Sequence, residues 1–279
     1  ILQASETPFM HEVLLGVEKA KEEVDHLGGT VLVCKIPHIS VKDTLEAMDF
    51  MREQGVSALA MVPAEEPAIK EKIRELSMEH HIPVVTLNSD VPDTGRLCFV
   101  GQNGFQCGRA AAGLMGELMN GKGQVAVISG YSTNPSLSSR VEGFSSEMQQ
   151  KYPKIQLLGP EYCFEDNEKS EKITDQLLKT YPDLKAIYIT SHGESGVCNS
   201  LCKHGKAGKI KMIANDFLGE NYELMRKGYI NFLIGQDASI QGYEPVMILF
   251  RLLFNGEKPE RERMYTEVYI RNVYTIPEK

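Results

Sequence analysis

The stretch PVVTLNSDVPDTGRLCFVGQNGFQCGRAA, residues 83–111, decides the fold. Pro83–Leu87 is a short β-branched run closed by the turn-forming Asn88-Ser89-Asp90. Leu97–Val100 is a second apolar run, and a Gly/Ala-rich segment of helical period then spans Gly104 to Asn120, stopped by Gly121-Lys122-Gly123. Upstream, Ile1–Ala4 reads as the tail of a strand. Pro8–Leu27 follows as a helix with Phe9, Val13, Leu14, Val17 and Val24 on one face. Strand Thr30–Ile36, helix Val41–Gln54, strand Ala58–Val62 and helix Glu65–His80 complete this part.

Downstream the alternation resumes with strand Gln124–Ser129, helix Ser136–Lys151, strand Ile155–Tyr162, helix Glu168–Thr180 and strand Leu184–Thr190. Segments Glu194–His204, Lys209–Ala214, Phe217–Lys227, Phe232–Gly235 and Ile240–Asn255 continue it to a strand-like tail, Tyr265–Val273. Such βαβα order predicts parallel sheets covered by helices on both faces. About ten strands exceed one comfortable sheet, and the restart near Gly101 predicts two.

With 38 acidic and 30 scattered basic residues, the chain lacks the Lys/Arg cluster that displaces counterions from nucleic acid, so it should not bind DNA or RNA by itself. No apolar run approaches the roughly 20 residues of a membrane span, and no membrane contact is expected. The six cysteines (Cys34, Cys98, Cys107, Cys163, Cys198, Cys202) show no repeated C-x-x-C and read as unpaired thiols of a reducing, cytoplasmic compartment. The opening Ile1 predicts that an upstream segment has been removed.

Ligands of open α/β sheets bind beyond the carboxyl ends of the strands, so the strand-to-helix junctions are the places to look for chemistry. Phe9 could face a cleft or staple onto its own helix core, with Ser5 or Thr7 as the cap. Asn88, Ser89, Asp90 and Asn103 offer the donors and acceptors that hydroxyl groups need, and are equally ordinary turn residues. Arg140 lies on a helix after the strand ending at Ser129. Ser191 follows another strand, Asp216 closes a third and could cap the next helix, and Gln236 follows Phe232–Gly235.

Taken in order, Thr7-Pro8-Phe9, PVVTLNSDVP, FVGQNGFQCGRAA, SSRVEGF, MIANDF and FLIGQDASIQGYEPV resemble ribose-type periplasmic binding proteins and the effector domains of LacI/GalR regulators. The resemblance covers nearly the whole chain and rests on the ordered set, since no single motif is specific. It implies two Rossmann-like, doubly wound parallel-sheet lobes joined by a three-segment hinge. The lobes would be residues 1–103 with 237–264 and residues 104–236 with 265–279, closing on one small molecule. It further implies that Phe9 stacks on a sugar ring and Asn88 bonds hydroxyls, with Arg140 and Asp216 contacting the ligand from the second lobe and Gln236 from the hinge. Asn103, near a crossover, and Ser191 are further ligand-binding candidates. Two departures leave the ligand open. Ser89 stands where ribose-type relatives place an arginine, and Thr190-Ser191-His192 differs from the usual asparagine-containing stretch.

Enzyme readings fail on spacing. No G-x-G-x-x-G or G-x-x-x-x-G-K-S/T follows a strand, and Gly193-Glu194-Ser195-Gly196 is one residue short of a nucleophile elbow. Cys198 and Cys202 with His204 could hold a metal, but two cysteines on one helix face are more commonly core residues. The expectation is therefore no catalysis, no metal and no cofactor. Of the two jobs open to such a binder, the sequence favours a cytoplasmic LacI/GalR-like regulator. That regulator would act as a homodimer contacting operator DNA through an upstream helix-turn-helix headpiece absent from this chain. The Gly/Ala-rich Gly108–Gly116 stretch would permit close subunit packing. The alternative is an extracytoplasmic sugar-binding protein of an ABC transporter or chemoreceptor.

Overall fold

The computed structural model describes residues 1–3, 8–36, 40–132 and 134–277. The expected caps Ser5 and Thr7 lie outside the described residues. The chain divides into two compact units, 1–102 with 237–267 and 103–236 with 268–279.

The first unit runs β1 (Leu2–Gln3), α1 (Pro8–His26), β2 (Lys35–Ile36), α2 (Val41–Glu53), β3 (Leu59–Met61), α3 (Pro67–Met78), β4 (Val84–Leu87) and β5 (Cys98–Gln102). β4 and β5 are buried on both faces, as parallel strands between helical layers must be. β3, β4 and β5 pair in parallel, and β1 pairs with β2. Of the expected strand Thr30–Ile36, Lys35 and Ile36 pair with β1 among the described residues.

The second unit continues with α4 (Gly104–Leu118), β6 (Gly123–Ser129), α5 (Pro135–Lys151), β7 (Ile155–Tyr162), α6 (Asn167–Thr180), β8 (Leu184–Ile189), α7 (Glu194–Lys203), β9 (Lys211–Asn215), α8 (Gly219–Arg226) and β10 (Phe232–Gly235). The chain then returns to the first unit as α9 (Ala238–Asn255) and β11 (Arg263–Thr266), and ends in the second with β12 (Tyr269–Arg271). The expected tail Tyr265–Val273 is thus two strands. β11 pairs in parallel with Phe99–Gln102, which holds residues 263–266 in the first unit and moves the last crossover past Glu267. β12 runs antiparallel to β10.

Strand order in the second sheet is β12-β10-β9-β8-β6-β7. Alternate strand residues feed opposite cores, Ile187 and Ile189 one face, Ala186 and Tyr188 the other. The helices α4 and α5 close together on one face because glycines remove side-chain bulk: a Cβ on Gly108 would stand 2.0 Å from the Arg140 carbonyl oxygen, and one on Gly143 2.0 Å from that of Phe105. The small-residue stripe read as a subunit contact is therefore already covered by α5 of the same unit.

Candidate functional site

In the second sheet β7 and β8 flank β6 on opposite sides, so the order reverses there. The crevice beyond the carboxyl ends of β6 and β8 is where such a sheet receives ligands. Ser129 and Thr190 mark those ends, and their hydroxyls lie 2.7 Å apart.

Arg140 reaches this crevice from α5 and is 2% exposed. Its Nη1 donates to the Thr190 carbonyl oxygen at 2.7 Å, and Nη2 stands 4.0 Å from Asp216 Oδ1. Burial opposes the guanidinium charge, but Asp216, with Cys107, Tyr188 and Glu165 nearby, holds its pKa above the ordinary value. Beneath it, Tyr188 stacks on Phe144 at 4.6 Å and donates to Asn215 Oδ1 at 2.9 Å, while Asn215 Nδ2 donates to Cys107 Sγ at 3.2 Å. Locked side chains below a binding group keep it in one geometry.

Asp216 follows β9 with φ +69°. That left-handed conformation is costly for a residue with a Cβ, and it turns the carboxylate toward Arg140. The alternative role as helix cap does not arise, since α8 begins after Leu218 without a side-chain cap. Gln236 Nε2 donates to Asp216 Oδ1 at 3.2 Å. Arg140, Asp216 and Gln236, from α5 and from the ends of β9 and β10, meet at one place.

Ser191 is 4% exposed and its Oγ has no hydrogen-bond partner. A Cβ on Gly130 would lie 2.8 Å from that Oγ and 2.9 Å from Glu165 Cγ, so Gly130 keeps open the space they share. Asn103 is the N-cap of α4, accepting from Gln106 N at 3.0 Å, which is the ordinary turn role.

In the first unit, Asn88 follows β4 with φ +63°, a second non-glycine residue in the left-handed region at a strand end. Its Nδ2 is 3.5 Å from Gln241 Oε1. The turn is fixed by Asp90, whose carboxylate accepts from Arg96 Nε at 2.5 Å and Nη2 at 2.7 Å, and from Thr86 Oγ1 at 3.2 Å. Phe9 packs partly buried against Met10, Val13, Leu87 and Ala238 of its own unit. A cavity of about 420 Å³ in this unit is lined largely by aliphatic side chains, among them Val17, Val24, Val31, Val33, Leu59 and Val246, and lacks the convergent polar groups of the second-unit crevice.

Sequence reading missed several neighbours of the crevice. Phe164 and Glu165 occupy successive left-handed positions (φ +57° and +60°) with no glycine to announce them. Phe164 is exposed and meets Tyr131 edge-on at 5.4 Å, with Lys169 Nζ 3.5 Å above its ring. His192 Nδ1 lies 3.5 Å from Glu194 Oε2, and that bond, against the opposing effect of burial, raises the His192 pKa. Glu194 is itself buried, accepting from Gly193 N and Asn221 Nδ2, both at 3.0 Å. Cys198 packs against Met212 while Cys202 is exposed and His204 bonds Asp175. Among the described residues no group of three or more His, Cys, Asp or Glu could hold a metal, and no helix is long and apolar enough to cross a membrane.

Residues 1–258 match the periplasmic binding protein domain family. The D-allose-binding periplasmic protein of Escherichia coli K12 is 26% identical over 118 residues, 42% of this chain and 38% of that protein. The xylose/arabinose-binding protein XylF of Sulfolobus acidocaldarius is 21% identical over 224 residues, 75% of this chain and 54% of that protein. The chain thus matches about half or less of each of these relatives. A sugar-binding protein of a sugar ABC transporter from Bacillus halodurans has the same fold, with TM-score 0.88 at 24% identity over 99% of this chain and 97% of that one.

These matches overturn the regulator reading. The relatives are sugar-binding and periplasmic proteins, so the LacI/GalR assignment, the operator DNA reached through a headpiece and the cytoplasmic location all fall. The cysteine argument fails for a physical reason. Cys98, Cys107, Cys163 and Cys198 are buried, and desolvation pushes Cys98 up to about 11 and Cys198 up to about 12. Thiols held protonated and out of solvent do not exchange, so the unpaired state of these four says nothing about the compartment, and only exposed Cys202 and half-buried Cys34 stand outside that protection. On the match of residues 1–258, the chain belongs to the periplasmic binding protein domain family.

Proposed function

We propose that this chain is a non-catalytic sugar-binding protein that works outside the cytoplasm and hands its ligand to a membrane transporter. The observation that carries the reading is the meeting of Arg140, Asp216 and Gln236 beyond the carboxyl ends of β8, β9 and β10 in the second sheet. A guanidinium presents several donors in a fixed plane, a carboxylate only acceptors and an amide both. Vicinal hydroxyls, each able to donate and accept, suit that set. Ser191, with a buried and unpartnered Oγ, adds one more polar group, and Asn103 of the same unit is proposed as a further contact. The sugar and transport assignments draw on the names of the relatives.

The test is a thermal shift series with pentoses, hexoses and their deoxy forms. A ligand at a hundredfold excess over its Kd stabilises the fold by about 2.7 kcal/mol, a rise in Tm of about 5 °C or more for a chain of this size. A rise with at least one sugar supports the proposal; a flat response across the series rejects it.

A further inference from the structure

Glu165 was not among the expected site residues. It sits in the loop between β7 and α6, open to solvent on one side, with its Cγ 2.9 Å from the Cβ position that Gly130 leaves empty. The buried, unpartnered Ser191 Oγ lies 2.8 Å from the same point. The charged groups that act on Glu165 come from three places: Arg140 from α5, His192 and Glu194 from the β8–α7 junction, and Asp216 from the end of β9. Desolvation, with Asp216 and Glu194 as like charges, raises its pKa against the opposing pull of His192 and Arg140.

The charges can be paired off. Arg140 faces Asp216 and His192 faces Glu194, so each of the two cations that act on Glu165 also has another carboxylate beside it. With His192 protonated the crescent carries one net negative charge, and with His192 neutral it carries two. A carboxylate or phosphate on the ligand would meet that charge in a crevice where like charges brought together are strongly disfavoured. A protonated amine would find acceptors in Glu165 and Ser191 Oγ.

We infer that Glu165 sets the charge selectivity of this site, so that it takes neutral and amine-bearing sugars, the amine-bearing ones most tightly, and excludes acidic ones. The inference rests on the sugar-binding reading and narrows its ligand class.

The experiment is calorimetric titration of the wild-type protein and Glu165→Gln with three matched ligands: the neutral hexose giving the largest thermal shift, its 2-amino-2-deoxy form and its uronate. Gln keeps the shape of the side chain at a solvent-open position, so the fold should survive. The expected wild-type result is an amino form binding at least about a hundredfold more tightly than the uronate, a gap that shrinks about tenfold or more in Glu165→Gln. Unchanged selectivity in Glu165→Gln, with the neutral hexose still bound, overturns the role of Glu165 and leaves the sugar-binding reading intact. Failure of every neutral sugar to bind the wild type overturns both.

Discussion

Arg140 Nη2 and Asp216 Oδ1 stand 4.0 Å apart, one carried by the buried face of α5 and the other by a left-handed residue beyond β9. Neither group is satisfied by this pairing alone. Arg140 Nη1 is spent on the Thr190 carbonyl oxygen, and Asp216 also accepts from Gln236. The pair braces the end of the second sheet, tying α5 to the segments that follow β8, β9 and β10.

Arg140→Ala should therefore destabilise as well as remove a contact. Breaking a fully buried pair costs about 3–5 kcal/mol because a charge is stranded. Asp216 retains 22% side-chain exposure and stays partly hydrated, so the expected loss is smaller, about 2 kcal/mol, mainly from the orphaned Thr190 carbonyl. Urea denaturation checks this, and an unchanged midpoint would show that Arg140 does not brace the crevice.

The glycines of the α4–α5 contact give a paired prediction. Gly108→Ala and Gly143→Ala each force a Cβ to within 2.0 Å of a backbone oxygen, and should cost about 1–3 kcal/mol or more. Gly113→Ala, on the same helix with nothing within 4 Å, should stabilise by about 0.5–1 kcal/mol. Denaturation midpoints that move the same way for all three would contradict the packing described.

His192 offers a pH signature. Its folded pKa is raised above 6.5, chiefly by the bond to Glu194. The contribution to stability is thus complete below pH 6.5 and lost as pH rises through the folded value. The Tm advantage of wild type over His192→Gln should shrink as pH rises from 6.5 through the raised folded value. Proton NMR should show the His192 titration falling toward the ordinary value in Glu194→Gln.

Thiol labelling tests the cysteine argument. Cys202 is exposed and Cys34 half-buried, whereas Cys98, Cys107, Cys163 and Cys198 are buried. An aromatic disulfide reagent at mildly alkaline pH should modify Cys202 first, Cys34 more slowly and the other four only after denaturation. Rapid modification of all six would remove the physical reason for allowing unpaired thiols outside the cytoplasm.

Much of this was legible before any coordinates. Alternating strand and helix periods marked the two sheets, because a buried parallel strand is a short continuous apolar run and its covering helix is not. Arg140, Asp216 and Gln236 were singled out by the ordered resemblance to ribose-type binding proteins, since the junction positions alone gave weak signals. Glu165 was invisible: its position depends on two successive left-handed residues, Phe164 and Glu165, neither a glycine. The stripe around Gly108 announced close helix packing without saying which helix would fill it, and α5 of the same unit does. The compartment was misjudged because cysteine count is a sequence property whereas thiol reactivity follows burial. Regulator and transport proteins share the junction pattern, so that pattern alone could not separate them.

Whether the Arg140–Asp216–Gln236 crescent holds a sugar is measured by calorimetric titration of Asp216→Asn against wild type, with the best sugar of the thermal series. The isosteric amide keeps the fold but removes a charged acceptor. The account predicts one site per chain and a loss of about 1.5–3 kcal/mol, roughly 10- to 150-fold in Kd. Equal affinity in the two proteins would place the ligand elsewhere and contradict it.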